Sequence, residues 1–404
     1  PPWAFCIRGS TLRKRDREMG AATVRVGLAG CGVVGGALVR LLDESADTIE
    51  SRYGVRLELS RVLVRDTQRD RGLPLPSSVF TSDRNEFLSH DTDVVVEAIG
   101  GTGTASEIAR TSLGKGRRFI TSNKELIASE GAELALLARE KSAALDFGAS
   151  VGGSAPVIAL LRDLLGSSTP RSVKGILNGT SNYVLTLIER GASVADAIEK
   201  ARAKGLAEQD CSRDLDGRDA AAKLAIVTWM SFGIAPSRIT IPRIGITLHT
   251  PRLIDAARTL GGKVRFLGQT ELVGKQDVSA FVEPVVFPEH HSFARTELED
   301  NRIEVDLGWS APLTVSGPGA GGAPTATALL GDILNTQPRA NDRSARGTQF
   351  KCVEDNRTHR WLLANGDGWK VFAATRAELQ RKIAGDAQVA VARVELPVIS
   401  GEVS

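Results

Sequence analysis

The stretch TVRVGLAGCGVVGGALVRLLDE, residues 23–44, constrains the fold of this chain more than any other. A short apolar β run ends in a Gly-x-Gly-x-x-Gly turn, and an amphipathic helix follows directly. Glycines at this spacing allow a tight turn and a close approach of phosphates to the backbone, and the helix N-terminus attracts negative charge. The stretch therefore predicts a dinucleotide-binding unit. Its predicted cofactor contacts are Gly30, Cys31, Gly32, Val33, Val34 and Gly35.

Strand patterns that alternate with helical patterns continue this unit. VRLELSRVLVRD, DTDVVVEAIGG and GRRFITSNKELIASEGAELALLARE each contain an apolar run, and the last continues into a helix. Such alternation indicates a parallel sheet, which binds ligands at the carboxyl ends of its strands. The residues predicted to contact the cofactor there are Arg65, Ile99, Gly100, Ser122, Asn123 and Lys124.

Two of these residues bear on specificity and catalysis. An acidic residue after the second strand holds the ribose diol of NAD, whereas an arginine accommodates the 2′-phosphate of NADP. Arg65 is followed by Asp66, so the sequence favours NADP and leaves NAD possible. Lys124 is either a surface lysine at a helix start or a functional cation, and the helix dipole disfavours a cation at that end.

The pattern changes near FGASVGGSAPVIALLRDLLG, after which helices and short strands of a second domain follow. Near Gly317, LTVSGPGAGGAPTATALLGDIL repeats the arrangement of strand, glycine turn and helix, which predicts a return to the first domain and a cofactor contact at Gly317. The fold class is therefore α/β, with a Rossmann-type dinucleotide-binding domain, a mixed α/β domain and a short C-terminal accessory segment of ββαβ pattern. The predicted boundaries are a disordered leader at 1–23, the dinucleotide-binding domain at 24–150, the mixed domain at 151–316, the return at 317–336, and a linker with the accessory segment at 337–404.

Composition excludes several classes of protein. The net charge of +3 is small for 404 residues and no basic stripe with interleaved aromatic residues occurs, so nucleic acid is not an expected partner. The four cysteines are far apart, which argues against a zinc site or a disulfide framework and fits a reducing compartment. The sequence contains no run of about 18 apolar residues, so no membrane-spanning helix is predicted.

An acidic loop and the helix after it, GLAEQDCSRDLDGRDAAAKLAIVTWM, carry charges into a segment that is otherwise apolar. Asp216, Asp219 and Lys223 are spaced i, i+3 and i+7, so they lie along one stripe of the helix. Unpaired buried charge costs several kcal/mol, so the stripe needs partners or a cavity. The spacing leaves two interpretations, a structural ion pair between Asp219 and Lys223 or a functional site.

Seven motifs in order resemble homoserine dehydrogenase: GCGVVGG, VVVEAIGG, TSNKELIA, ASVGGSAP, GILNGTSNYVL, GLAEQDCSRDLDGRDAAAKLAI and SGPGAGGAPTATALLGDI. The resemblance covers about residues 24–334, and the last four motifs are specific to that family. It implies the reversible NAD(P)-dependent reduction of L-aspartate 4-semialdehyde to L-homoserine, on the pathway to threonine, methionine and isoleucine. A cytoplasmic homodimer is the expected assembly.

The resemblance assigns roles to the charged stripe. Lys223 donates a proton to the aldehyde oxygen as hydride arrives, and in reverse takes the proton of the homoserine hydroxyl. Asp219 orients the substrate, and Lys124 lies at the junction of cofactor and substrate. Glu208 and Asp214 receive the substrate ammonium group.

The resemblance also assigns ligand contacts to two turns. In NGTSN, the backbone N–H groups of Asn178, Gly179 and Thr180 face the substrate, whereas the residues alone suggest a plain helix start with Thr180 or Ser181 as the cap. In GASVGGSAP, backbone carbonyls hold a monovalent cation such as Na⁺. The matching residues are Gly148, Val151, Gly153 and Ala155.

The chain departs from the family pattern at three points. Gly148 stands where the family often has Glu, and Cys211 stands where it usually has Pro. The tail lacks the opening signature of the regulatory ACT domain that ends many bacterial members, so feedback inhibition is not predicted.

Two other functions compete with this interpretation. Another amino-acid dehydrogenase of the same architecture, such as one acting on aspartate, would need a catalytic histidine in the second domain. The histidine in its helical half, His249, is far from the acidic motif in sequence. A catalytically silent NAD(P)-sensing protein would be favoured if Lys223 or Asp219 were replaced, and both are present.

Overall fold

This computed structural model describes residues 21–164, 168–335, 348–384 and 389–396. The chain divides into two compact units. Unit 1 comprises Pro1–Ala159 and Gly321–Arg346, and unit 2 comprises Leu160–Ala320 and Gly347–Ser404. The predicted leader up to residue 20 and the predicted linker as far as residue 347 lie outside the described residues.

Unit 1 alternates strands with helices along the chain. Its elements are β1 (Ala22–Ala29), α1 (Val33–Glu44), α2 (Ala46–Tyr53), β2 (Val55–Leu63), β3 (Phe80–Thr81), α3 (Arg84–Ser89), β4 (Val94–Glu97), α4 (Gly103–Gly114), β5 (Arg118–Thr121), α5 (Lys124–Glu140), β6 (Leu145–Asp146) and, after the second unit, α12 (Gly322–Leu334). Helix α6 (Val157–Leu164) spans the division between the units. Strand β1 begins inside the predicted leader.

The sheet of unit 1 has the strand order β3-β2-β1-β4-β5-β6, and its pairings are all parallel. This is the order of a Rossmann fold. Strand β4 is buried along its whole length, and β1 and β2 are buried toward their carboxyl ends, as central parallel strands covered by helices should be. The core that α1 and α12 share with the central strands includes Val26, Leu28, Leu38, Val96 and Leu329. The predicted parallel-sheet fold is confirmed.

Unit 2 is a mixed sheet with helices, and the chain leaves it and later returns to it. Its elements are β7 (Ser172–Ile176), α7 (Gly179–Glu189), α8 (Val194–Ala203), α9 (Ser212–Leu215), α10 (Arg218–Phe232), α11 (Thr250–Thr259), β8 (Gly262–Leu272), β9 (Asp277–Pro288), β10 (Asp300–Asp306), β11 (Leu313–Pro318), β12 (Lys351–Cys352), β13 (His359–Asn365), β14 (Gly368–Ala374), α13 (Arg376–Ile383) and β15 (Ala390–Val394).

The nine-stranded sheet of unit 2 has the order β11-β10-β7-β8-β9-β15-β13-β14, with β12 also paired to β9. Most neighbours are antiparallel, whereas β12 and β15 run parallel to β9. The C-terminal segment thus contributes strands to the sheet that carries α10. The predicted order of strand, strand, helix and strand in that segment is the observed one.

Gly317 lies inside β11, where its Cα pairs with that of Asn301 in unit 2. The glycine turn follows at Gly319–Gly321, and unit 1 resumes at Gly321. In the part of the chain that the structure describes, no helix is both long enough and apolar enough to cross a membrane.

Candidate active site

The glycine turn between β1 and α1 shows why each glycine is needed. Gly30 has a φ of 94°, and a Cβ there would lie 2.6 Å from the Ala98 carbonyl oxygen. A Cβ on Gly35 would lie 2.1 Å from the Gly30 oxygen. At Gly32, by contrast, a Cβ would meet no heavy atom within 4 Å. Packing therefore fixes the first and third glycines, while the second leaves open space at the start of α1, where a pyrophosphate can approach.

A buried carboxylate that the sequence analysis missed organises the ends of β4 and β5. Glu97 is fully buried, and its Oε1 accepts hydrogen bonds from the backbone N–H groups of Ile99 (2.7 Å) and Gly100 (3.0 Å). Its Oε2 accepts one from the Thr121 hydroxyl at 2.5 Å. The N–H groups of the predicted contacts Ile99 and Gly100 are therefore committed to protein. A carboxylate at the end of the apolar run VVVE was the signal for this role.

Asn123 joins the same two strand ends and starts α5. Its Oδ1 caps the helix by accepting from the backbone N–H groups of Glu125 and Leu126, both at 3.1 Å. Its Nδ2 donates to the Gly101 oxygen at 2.5 Å. The neighbouring Ser122 and Lys124 are both partly buried, and Lys124 is the first residue of the helix. Lys124 therefore lies close to the carboxyl end of β5.

The residues after β2 bear on the choice of cofactor. Arg65 is exposed, and the Asp66 carboxylate closes a local turn by accepting from the Gln68 backbone N–H at 2.9 Å. Burial raises the pKa of Cys31 in the glycine turn, and the nearby charge of Arg71 opposes that rise. Positive charge therefore lies close to the glycine turn as well as at the end of β2.

The turn proposed for a cation, residues 148–155, uses two glycines in the left-handed region, Gly152 and Gly153. A Cβ on Gly148 would lie 2.6 Å from the Asp332 Oδ1, and the Ala149 backbone N–H donates to Asp332 Oδ2 at 3.3 Å. The carboxylate of α12 therefore occupies the space where a side chain at position 148 would begin. Val151, Gly153 and Ala155 are buried in this turn.

In unit 2, Asp219 and Lys223 are the centre of a cluster. The prediction that Asp216 shares their stripe is wrong, because Asp216 precedes α10 and pairs with Arg218. Lys223 Nζ lies 2.9 Å from Asp219 Oδ2, and it donates to the Leu177 carbonyl oxygen at 2.9 Å. The side chains of Asp219 and Lys223 are each 10% exposed. Asn178 Nδ2 donates at 2.7 Å both to Asp219 Oδ2 and to Asp214 Oδ1. An amine, two carboxylates and an amide thus meet at the start of α10. The N-cap of that helix is Gly217, whose φ of 83° lies in the left-handed region.

The helix after the NGTSN turn does not begin as predicted. Asn178 is the cap of α7, because its Oδ1 accepts from the Ser181 backbone N–H at 2.7 Å. The expectation that Thr180 or Ser181 would cap it is wrong. Gly179 packs so closely that a Cβ would lie 2.6 Å from the Glu299 oxygen, which favours glycine at that position.

The other predicted substrate contacts lie around the acidic loop. The Thr180 hydroxyl donates to the Leu206 oxygen at 2.7 Å and so ties the start of α7 to that loop. Glu208 is exposed farther along the loop, whereas Cys211 is buried and its carbonyl accepts from the Asp214 backbone N–H at 3.1 Å. The structure therefore brings Asp214 into the cluster and leaves the Glu208 carboxylate exposed to solvent.

The cluster can take up and release a proton beside a polar ligand. Lys223 has a carboxylate and a carbonyl as hydrogen-bond acceptors, so its Nζ is held in place. The two carboxylates can accept hydrogen bonds from a ligand ammonium group. In the described residues, no group of three His, Cys, Asp or Glu side chains could hold a metal ion.

Comparisons with known proteins point to one family. The family model for homoserine dehydrogenase matches residues 156–334, and the model for the homoserine dehydrogenase NAD-binding domain matches residues 30–147. The homoserine dehydrogenase of Mycobacterium tuberculosis H37Rv is 37% identical over 317 residues, which are 77% of this chain and 71% of that protein. That of Neisseria gonorrhoeae is 34% identical over 314 residues, which are 77% and 72% of the two chains.

Solved structures agree with this match. A homoserine dehydrogenase from Thiobacillus denitrificans superposes with a TM-score of 0.84 at 25% identity, over 93% of this chain and 99% of that one. A hyperthermophilic archaeal homoserine dehydrogenase in complex with NADPH superposes with a TM-score of 0.64 at 25% identity, over 78% and 97% of the two chains.

Proposed function

Since the chain belongs to the homoserine dehydrogenase family and is an NAD(P)-dependent oxidoreductase acting on a CH–OH group, we propose that Lys223 is its acid/base. In the direction of homoserine oxidation, the neutral amine takes the hydroxyl proton, and in reduction the ammonium group returns it to the aldehyde oxygen. The bound nicotinamide accepts or supplies the hydride. The observation that carries the proposal is that Asn178 holds a second carboxylate, Asp214, beside the Asp219–Lys223 pair, which a plain ion pair does not need.

The carboxylates have separate roles in the proposal. Asp219 holds the Lys223 amine in place and orients the substrate. Asp214 receives the substrate ammonium group, and Glu208, from the exposed loop, completes that site. The first backbone N–H groups of α7, at Gly179 and Thr180, face the substrate.

Asn178 is a positioning residue in this site. Its amide donates to Asp214 and Asp219 at the same distance, 2.7 Å, so one side chain fixes the separation of the two carboxylates. Its oxygen is held in turn by the Ser181 backbone N–H. A site whose groups are locked by such hydrogen bonds needs little reorganisation when substrate binds.

The cofactor of the proposal is NADP, with NAD as the weaker alternative. Arg65 is exposed after β2, where a guanidinium can meet a 2′-phosphate, and one oxygen of the adjacent Asp66 carboxylate is bound in a local turn. Lys124 contributes positive charge near the carboxyl edge of the sheet. We also infer a cytoplasmic homodimer, as the family resemblance implies.

The turn at residues 148–155 fits a monovalent cation such as Na⁺. Its left-handed glycines, Gly152 and Gly153, make a tight backbone turn, and hard cations prefer oxygen ligands. The carbonyls of Gly148, Val151, Gly153 and Ala155 would hold it. The Asp332 carboxylate beside Gly148 adds negative charge to this turn, which compensates for the missing glutamate.

The test is a spectrophotometric assay of the purified chain with L-homoserine and either NADP⁺ or NAD⁺. We expect reduction of NADP⁺ that depends on homoserine and exceeds the reduction of NAD⁺. L-aspartate, supplied in place of homoserine, should give no turnover. Oxidation of aspartate would favour the other dehydrogenase, and cofactor binding without turnover on either substrate would favour a silent sensor.

A further inference from the structure

A pocket of about 580 Å³ lies within unit 2, where the C-terminal segment meets the sheet. Its walls come from the segment after α10, from β9, from the chain around β12 and from α13. The volume falls in the range of about 300–1,000 Å³ that is typical of small-molecule sites. Side chains of both charges line it, namely Arg238, Glu354, Asp355, Arg376 and Arg381, together with the neutral amide of Gln380.

One side of the pocket is rigid and already neutralised. Arg376 is buried, and its guanidinium donates to Glu283 Oε1 at 2.6 Å and to Asp355 Oδ2 at 2.7 Å. It also lies over the Phe281 ring, 3.6 Å from the ring centre. Burial would raise the pKa of Asp355, but hydrogen bonds from His359 and other neighbours outweigh that effect and lower it. Arg357 and Arg393 also pair with Asp355 and Glu283, so both carboxylates of this buried network are already bound by arginines of the protein.

The opposite situation holds for two other arginines of the same pocket. Arg238 and Arg381 are exposed, and within the described part of the chain neither guanidinium has a hydrogen-bond or ion-pair partner, although the charge of Arg381 acts on Glu378, one turn earlier on α13. Besides Asp355, which the buried network holds, the carboxylate of Glu354 and the amides of Asn356 and Gln380 line the same space. The uncommitted groups therefore carry a net positive charge together with neutral donors.

We propose that this pocket binds a small organic anion, with Arg238 and Arg381 as its two cationic contacts. A guanidinium matches a carboxylate or a phosphate through paired N–H donors, which makes arginine well suited to either group. The amides of Asn356 and Gln380 can bind further polar groups of the ligand. Apolar wall residues, including Pro242 and Val353, suit a short carbon skeleton.

Isothermal titration calorimetry on the full chain saturated with NADPH tests this proposal, with succinate and glycerol 3-phosphate as separate probes. We expect one of them to bind, and the responsive probe distinguishes a carboxylate ligand from a phosphate ligand. In Arg238→Gln/Arg381→Gln, binding should weaken at least about tenfold, as expected when charge-assisted contacts are lost.

The matched control removes two positive charges elsewhere in unit 2. Arg295 and Lys370 are exposed and do not line the pocket, so Arg295→Gln/Lys370→Gln should bind within about twofold of the unchanged chain, because only screened long-range charge is lost. The proposal is overturned if neither probe binds with a dissociation constant below about 1 mM. It is equally overturned if the control weakens binding as much as the pocket variant does.

Discussion

Replacing Asn178 with alanine should damage catalysis more than its effect on stability explains. The substitution removes both 2.7 Å donations to Asp214 and Asp219 and the cap on the Ser181 backbone N–H. A lost N-cap costs about 1 kcal/mol. A hydrogen bond to a charged group contributes about 1.5–3 kcal/mol, part of which water restores at the half-exposed Asp214. We therefore expect the free energy of unfolding to fall by about 2–4 kcal/mol.

The kinetic consequence follows from geometry. Without the shared amide, the two carboxylates repel each other and no longer hold a fixed separation. A small misplacement of groups around a reacting centre can cost about 10²-fold in rate, so we expect kcat/KM for homoserine to fall by at least about tenfold. The affinity for NADPH should be unchanged. Steady-state kinetics and denaturant unfolding on the same preparation measure both effects.

Two further variants separate positioning from stability. Asn178→Ser can restore the helix cap but not the donation to two carboxylates, so it should regain stability without regaining rate. Asn182, one turn later on α7, donates to the carbonyls of Thr296 (3.2 Å) and Leu298 (3.0 Å), so Asn182→Ala should lose stability and keep kcat. Normal kinetics in a destabilised Asn178→Ala, or equal kinetic loss in Asn182→Ala, would refute the positioning role.

Other predictions concern the cofactor site and the acid limb of stability. Arg65→Ala should raise the Michaelis constant for NADPH more than that for NADH, and an equal rise for both would remove Arg65 from 2′-phosphate recognition. Burial raises the pKa of Cys31, so its alkylation should be slow at pH 7, faster at higher pH and blocked by NADPH; Cys352, whose pKa burial also raises, should stay unprotected in the same peptide-mapping experiment. Hydrogen bonds led by that from Lys263 lower the pKa of Glu297 from 4.5 to about 2. Because this pKa is lower in the folded state, the ionised carboxylate stabilises the fold above pH 4.5, and this stabilisation is lost as the pH falls toward about 2. The stability of Glu297→Gln should therefore fall less than that of the unchanged chain over this range. Identical acid unfolding curves for the two proteins would contradict the assignment.

The glycine turn was predictable because its demands are local. Gly30 needs a positive φ, and Gly35 needs to pack closely on the Gly30 carbonyl oxygen. The spacing of the glycines in the motif predicts both requirements. The spacing of Asp219 and Lys223 predicted that the two would meet, and they do, at 2.9 Å. That contact is common to both interpretations of the stripe, so it does not by itself choose between them.

Other features depended on long-range contacts that no local pattern contains. Glu97 became important because its burial places it between the ends of two strands. Asn, Ser and Thr are all good helix caps, so the residue types alone did not identify Asn178 as the cap of α7. The close packing of Gly179 on Glu299, next to this cap, is a long-range contact. The pattern of the C-terminal segment gave its strands but not their neighbours, because pairing with β9 is set by tertiary packing.

The most direct test of the account is Lys223→Ala, measured for melting temperature, NADPH binding and turnover, with Lys204→Ala as control. Lys204 is a more exposed lysine of the same unit, paired with Glu299 at 2.7 Å, and its loss should leave turnover intact. An orphaned buried charge costs about 3–5 kcal/mol, but Asp219 keeps its hydrogen bond from Asn178, and in the proposed substrate site water or ligand would solvate it.

General acid/base catalysis contributes about 10²–10⁴-fold in rate, so the account predicts that Lys223→Ala loses at least about 100-fold in turnover. It should still bind NADPH and melt near the unchanged chain. A Lys223→Ala protein that folds, binds NADPH and turns over homoserine at a near-normal rate would contradict the account, because Lys223 would then be half of a structural ion pair.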